Sequence, residues 1–218
     1  MYGRQQSRFE APAVSTASLL GQVLGITGGG FLITAITSYL TQGFPAGFSL
    51  IAILIGFGFL IAIAATKRNA GVSMLMFYAF TACEGIGIGP TIGHYVRVDG
   101  SAVVVDAAAT TGLGMLVLGA VVFLTSFDYR KLSGIAFGAL IGLLIVGLIS
   151  AFTHFLHPGL YAWATLAVFT LLVLVDFGRI RAGGDGQSSI ELATSIYLDA
   201  INIFLALLSI FGGRSRDD

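Results

Sequence analysis

A chain of 218 residues that is 56% hydrophobic, 10% charged and formally neutral, with a mean hydropathy of +0.93, has more apolar surface than a soluble domain of its size can bury. Neutrality denies it a basic field for nucleic acid, and a single cysteine, Cys83, excludes an internal disulfide and any multi-cysteine metal cluster. The composition is that of a multi-pass membrane protein.

Residues 1–16 form a polar basic arm, "MYGRQQSRFEAPAVST", expected to be cytoplasmic. The apolar segment after it runs on too long for the core of a cleaved signal, so 17–40 is expected to be a retained first span. Six more spans are expected at 49–66, 71–94, 105–127, 132–153, 158–180 and 190–211, each near the length a bilayer needs. Short connections join them: "QGFPAG", "TKRNAG", "HYVRVDGS", "FDYRK", "HFLHPG" and "RAGGDGQSS", the last read as a flexible loop. No ten-residue barrel alternation occurs, and isolated strands cannot satisfy their backbones in lipid. The expected class is therefore all-α: one seven-helix bundle over 17–211 with a polar tail, 212–218.

Lysine and arginine gather in the arm and in alternate connections, at Lys67, Arg68, Arg130, Lys131, Arg179 and Arg181; the other connections hold Arg97. By the positive-inside rule the N-terminus is cytoplasmic. The expected location is the cell membrane, plasma or inner. Small-residue runs such as "GITGGGFLITAITS" and "GALIGLLIVGLIS" read as faces for close helix packing.

Three acids stand where lipid-spanning helices should be apolar: Glu84, Asp176 and Asp199. Burying a charge at mid-membrane costs at least ~2.5–3.5 kcal/mol, so such residues face a bundle interior and often mark ion routes. On the seventh span Glu191, Ser195, Asp199 and Asn202 fall on one helical face. Asp199 can act there as an ion-handling group or as a structural interhelical hydrogen bonder. Asp176 is three residues from Arg179, which allows a local ion pair. The antiparallel sixth and seventh spans also return Asp176 and Asp199 to similar depths. Two carboxylates meeting there cannot both ionise cheaply and would share a proton. Glu84 reads either as a second station on an ion path or as a packing hydrogen bonder. No nucleophile–base–acid set points to an enzyme.

The stretches "EGIGIGP" at 84–90, "VDFGRI" at 175–180 and "SIYLDAINIFLALLSIFG" at 195–212 resemble the Bax-inhibitor family of transmembrane BAX inhibitor motif proteins, here of the prokaryotic calcium-leak type. The resemblance implies a central seventh helix wrapped by the others. It also implies a pH-sensing aspartate pair, falling here on Asp176 and Asp199, that would also meet the Ca²⁺. It further implies an arginine latch at the end of the second span. The closest placement puts Thr66 there, leaving Lys67, Arg68 or Arg179 to serve. The expected function is a pH-sensitive Ca²⁺ leak without a cofactor, whose partners are the bilayer, Ca²⁺ and H⁺, with Glu84, Glu191, Ser195 and Asn202 along the path. The alternative is a regulatory protein that binds a membrane protease or a stress or cell-death partner.

Overall fold

The computed structural model describes residues 15–66, 69–125, 128–153 and 155–214. They form α1 (Thr16–Leu40), α2 (Ala46–Thr66), α3 (Ala70–Asp99), α4 (Ser101–Leu124), α5 (Tyr129–Thr153), α6 (Pro158–Arg181) and α7 (Ser189–Arg214). All seven are long and apolar enough to cross a membrane. The all-α expectation holds.

Local chemistry sets the helix ends. Ser15 caps α1 by accepting from the Ser18 N–H, and Asn69 caps α3 through Val72. His157 caps α6 ahead of Pro158, which lacks an N–H at a position where none is needed. The expected eight-residue connection between the third and fourth spans is instead helical except for Gly100. Gly100 has φ of 84°, a left-handed geometry that turns the chain in one residue, so α3 continues through Pro90 as far as Asp99.

The connection after α6 also departs from expectation. Gly184 N–H reaches the Arg179 carbonyl at 2.8 Å and Gly183 N–H reaches that of Ile180 at 3.0 Å, the paired bonds of a Schellman ending. Gly183, Gly184, Asp185 and Gly186 then hold positive φ values of 87, 92, 51 and 81° in succession. This is a defined left-handed turn, and it explains why glycines flank the one residue there that bears a side chain. The turn is docked as well: Asp185 accepts from the Tyr129 hydroxyl and from Arg130, the latter at 3.2 Å. These two bonds, the tyrosine's first, hold the Asp185 carboxyl below its ordinary pKa.

Burial identifies the centre. In the most apolar window of α7, 61% of residues are buried, against 11% for α5. α7 packs on α1, α3, α4 and α6, while α2 backs onto α3 and α5 onto α6. The outer faces of α2 and α5 present Leu54, Phe57, Phe137 and Leu148 to the surroundings, as lipid-facing helices do. Inside, Tyr197 of α7 is fully buried among Phe31, Phe77 and Phe80, with ring centroids 5.1, 5.8 and 5.6 Å away.

A close helix approach lies along "EGIGIGP". A Cβ on Gly85 would stand 2.6 Å from the Thr34 carbonyl oxygen, and one on Gly89 would stand 2.9 Å from that of Ser38. One helical turn apart, the two glycines let α3 settle against the backbone of α1. The expected packing faces elsewhere are only partly used. Gly30 meets Phe77 and Gly147 meets Tyr161, but Gly25, Gly28, Gly138 and Gly142 have open space where a side chain would be.

Candidate functional site

Asp176 lies one and a half turns before the end of α6, and Asp199 lies on the face of α7 turned toward it. They are 4% and 5% exposed. Their carboxyl groups lie close enough to interact with each other, and Ser195 also lies beside Asp176. Ser195 and Asp199 are four residues apart, so a single turn of α7 presents both groups to one carboxylate. The two aspartates therefore lie beside each other inside the protein.

The local ion pair exists too. Arg179 Nη1 donates to Asp176 Oδ1 at 2.8 Å, and Nη2 reaches Ser133 Oγ of α5 at 3.4 Å. Arg179 thus ties α6 to α5 while compensating one carboxylate. On the far side the compensation stops: Oδ2 of Asp199 is buried and receives no N–H or O–H donor. A solitary buried carboxylate oxygen is costly in this state. A proton held between two adjacent carboxyls removes that cost, and its loss leaves two anions in one dry pocket. Such a pair can respond to pH and attract a cation.

The remaining path candidates fall in different places. Glu191 accepts from the Ser188 N–H and hydroxyl, both at 3.0 Å, and Ser188 accepts from the Glu191 N–H. This capping box fixes the start of α7. Asn202 turns its amide back to the Leu198 carbonyl of its own helix at 2.8 Å. Glu84 is on α3, partly buried and close enough for its charge to act on Tyr197, away from the aspartate pair. Lys67 and Arg68 lie outside the described residues, as do the arm up to Val14 and the tail from Ser215.

Sequence reading passed over a buried polar chain across three helices. The Tyr197 hydroxyl is 2.6 Å from Thr34 Oγ1, which lies 2.9 Å from the Thr81 carbonyl and 3.0 Å from that of Gly30. The threonine proton goes to these carbonyls, so Tyr197 is the donor to Thr34. Its one sequence signal is a tyrosine two residues before Asp199, on the opposite side of the helix. Arg181, a loop charge by sequence, has a structural role. It donates to the Val122 and Thr125 carbonyls and closes the end of α4.

Six apolar helices and a polar-striped central seventh, with two acids buried between it and its neighbour, define a polytopic helical membrane protein. The family model "Inhibitor of apoptosis-promoting Bax1" matches residues 16–216. The chain is 30% identical over 172 residues to the Escherichia coli "Modulator of FtsH protease YccA", covering 77% of each protein. It is 29% identical over 213 residues to Bax inhibitor 1 of Schizosaccharomyces pombe, covering 94% of this chain and 76% of the yeast one. An uncharacterized Pseudomonas aeruginosa protein is 29% identical over 206 residues, covering 94% of this chain and 90% of the relative. The chain belongs to the Bax inhibitor-1 family, whose members are non-enzymatic membrane proteins.

Proposed function

We propose that this protein is a pH-sensitive cation leak, most suited to Ca²⁺, in which Asp176 and Asp199 form the gate. One observation carries the reading: two acids from neighbouring spans, almost fully buried, lie close enough to interact, and one of them keeps an oxygen without a donor. Carboxylates suit a hard cation that takes oxygen ligands. Two of them supply few of the six to eight oxygens Ca²⁺ prefers, and no cluster of three or more candidate ligands occurs among the described residues. Such a site favours passage over storage. Deprotonation adds negative charge and draws the cation in, while protonation removes that attraction and leaves the two helices packed.

The test is Ca²⁺ flux into liposomes containing the protein. Wild-type flux is expected to fall from about pH 8 to about pH 5 as the carboxylates take up protons. Flux through Asp176→Asn/Asp199→Asn is expected to be flat with pH. Identical, pH-independent flux in both proteins overturns the proposal.

A second reading rests on the E. coli relative, which is named a modulator of a membrane protease. This chain would then act by binding such a protease, with residues 1–12 as the contact. Deleting those residues separates the two: modulation is lost with flux intact if the arm is the contact, and the binding reading fails if modulation survives.

A further inference from the structure

α1 and α4 both pack on α7 yet stand apart, leaving a groove of about 750 Å³ with α7 as its floor. It runs from Leu20 and Phe123 at one end to Gln42 and Val104 at the other. The 21 residues of α1 from Leu20 to Leu40 rise about 30 Å, close to the ~30 Å of a bilayer's hydrocarbon core. The walls are overwhelmingly apolar. Gly28 and Gly112, facing each other from α1 and α4, widen the groove, since a Cβ on either would meet nothing within 4 Å.

Size and charge select the occupant. A 20-residue helix about 10 Å across fills on the order of 2,400 Å³, more than the empty space of about 1810 Å³ between the walls. An acyl chain, a single file of methylenes, needs only a fraction of a helix's volume. At the Gln42 end, the exposed Arg97 guanidinium stands 3.5 Å from the Gln42 carbonyl oxygen and forms no ion pair with the described residues. Asp99, the nearest acid in sequence, buries its Oδ2 against the Gly212 end of α7, without a donor there. A cation at the mouth of an apolar groove suits a molecule with a hydrocarbon tail and an anionic head. We infer that this groove holds an acyl chain of an anionic phospholipid whose phosphate is met by Arg97.

Photocrosslinking tests this in phosphatidylcholine vesicles doped with phosphatidylglycerol carrying a diazirine in its acyl chain. Crosslinks are expected on groove residues such as Phe31 and Met115, in excess over the outer faces of α2 and α5. Gly112→Leu is expected to abolish that excess while keeping wild-type helicity and melting temperature, because its side chain enters open space. Gly28→Leu on the opposite wall takes its place if that variant does not fold. Arg97→Ala is expected to reduce the preference for phosphatidylglycerol over a matched phosphatidylcholine probe about fivefold, the effect of one basic residue near the membrane surface. Crosslinks spread evenly over all lipid-facing helices overturn the inference. So does labelling that survives both leucine variants, or capture of a second protein helix in the groove instead of lipid.

Discussion

Arg179 grips Asp176 at 2.8 Å with one guanidinium nitrogen while the other faces Ser133 at 3.4 Å, so the cation beside the buried carboxyl pair is also a strut between α5 and α6. Its side chain is 30% exposed against 5% for its partner. The pair should therefore contribute between the ~0–1 kcal/mol of a surface ion pair and the ~3–5 kcal/mol lost on breaking a buried one. Arg179→Gln is expected to lower the melting temperature in detergent at about pH 8, where Asp176 is left as an uncompensated anion beside Asp199. Adding Asp199→Asn should restore part of the loss by removing the second acid. A double-mutant cycle with no coupling between positions 179 and 199 would separate the ion pair from the dyad and contradict this arrangement.

Asp185 offers a pH effect outside the membrane. The Tyr129 hydroxyl and Arg130 hold its carboxyl below the ordinary value of 3.8. A depressed folded-state pKa contributes stability that is present above 3.8 and is lost as pH falls through the lower folded value. The docked turn should accordingly loosen only in strong acid. Protection of Gly183–Gln187 against hydrogen exchange, taken relative to the intrinsic rate at each pH, is expected to fall on acidification in the wild type, whereas Asp185→Asn and Tyr129→Phe should both exchange faster than wild type at neutral pH. Unchanged exchange in both variants would show that the glycine backbone alone holds the turn.

How much of this could be read beforehand depends on the range of each interaction. The seven spans follow from hydropathy, and the Asp176–Asp199 encounter from helical spacing plus an antiparallel return, both of which are local arithmetic. The end of α3 was misplaced because "HYVRVDG" is polar enough to read as a loop, yet a helix that leaves the membrane keeps its hydrogen bonds in water and stops only where Gly100 turns left-handed. Glu191 and Asp199 share a helical face, but Ser188, three residues earlier, claims the glutamate as a cap. The Tyr197–Thr34–Thr81 chain links three helices far apart in sequence, and no spacing rule reaches that distance.

The glycines divide into two groups with opposite expectations. Gly85→Ala drives a methyl to within 2.6 Å of a backbone oxygen of α1, an overlap that no side-chain rotation relieves. It should part α1 from α3 and cost about 1–3 kcal/mol or more. Gly138→Ala and Gly142→Ala on α5 meet empty space, so replacing a poor helix former should be neutral or stabilising by up to ~1 kcal/mol. Thermal melts of the three variants in the same detergent check both halves. Equal effects at positions 85 and 138 would remove the case for a close seam along "EGIGIGP".

Tyr197 tests whether the buried polar chain holds the central helix beyond what its ring packing does. Tyr197→Phe keeps the contacts with Phe31, Phe77 and Phe80 and deletes only the donor to Thr34 Oγ1 at 2.6 Å. Thr34 still donates to backbone carbonyls, so no buried donor is orphaned and the loss should be about 0.5–1.5 kcal/mol. Thr34→Val removes both links and strands the tyrosine hydroxyl in an apolar box, which should cost about 1–3 kcal/mol. In the double variant no hydroxyl is stranded, so it should be more stable than Thr34→Val alone. If the melting temperatures fall additively instead, the two hydroxyls act independently and α7 is anchored to α1 and α3 by aromatic packing alone.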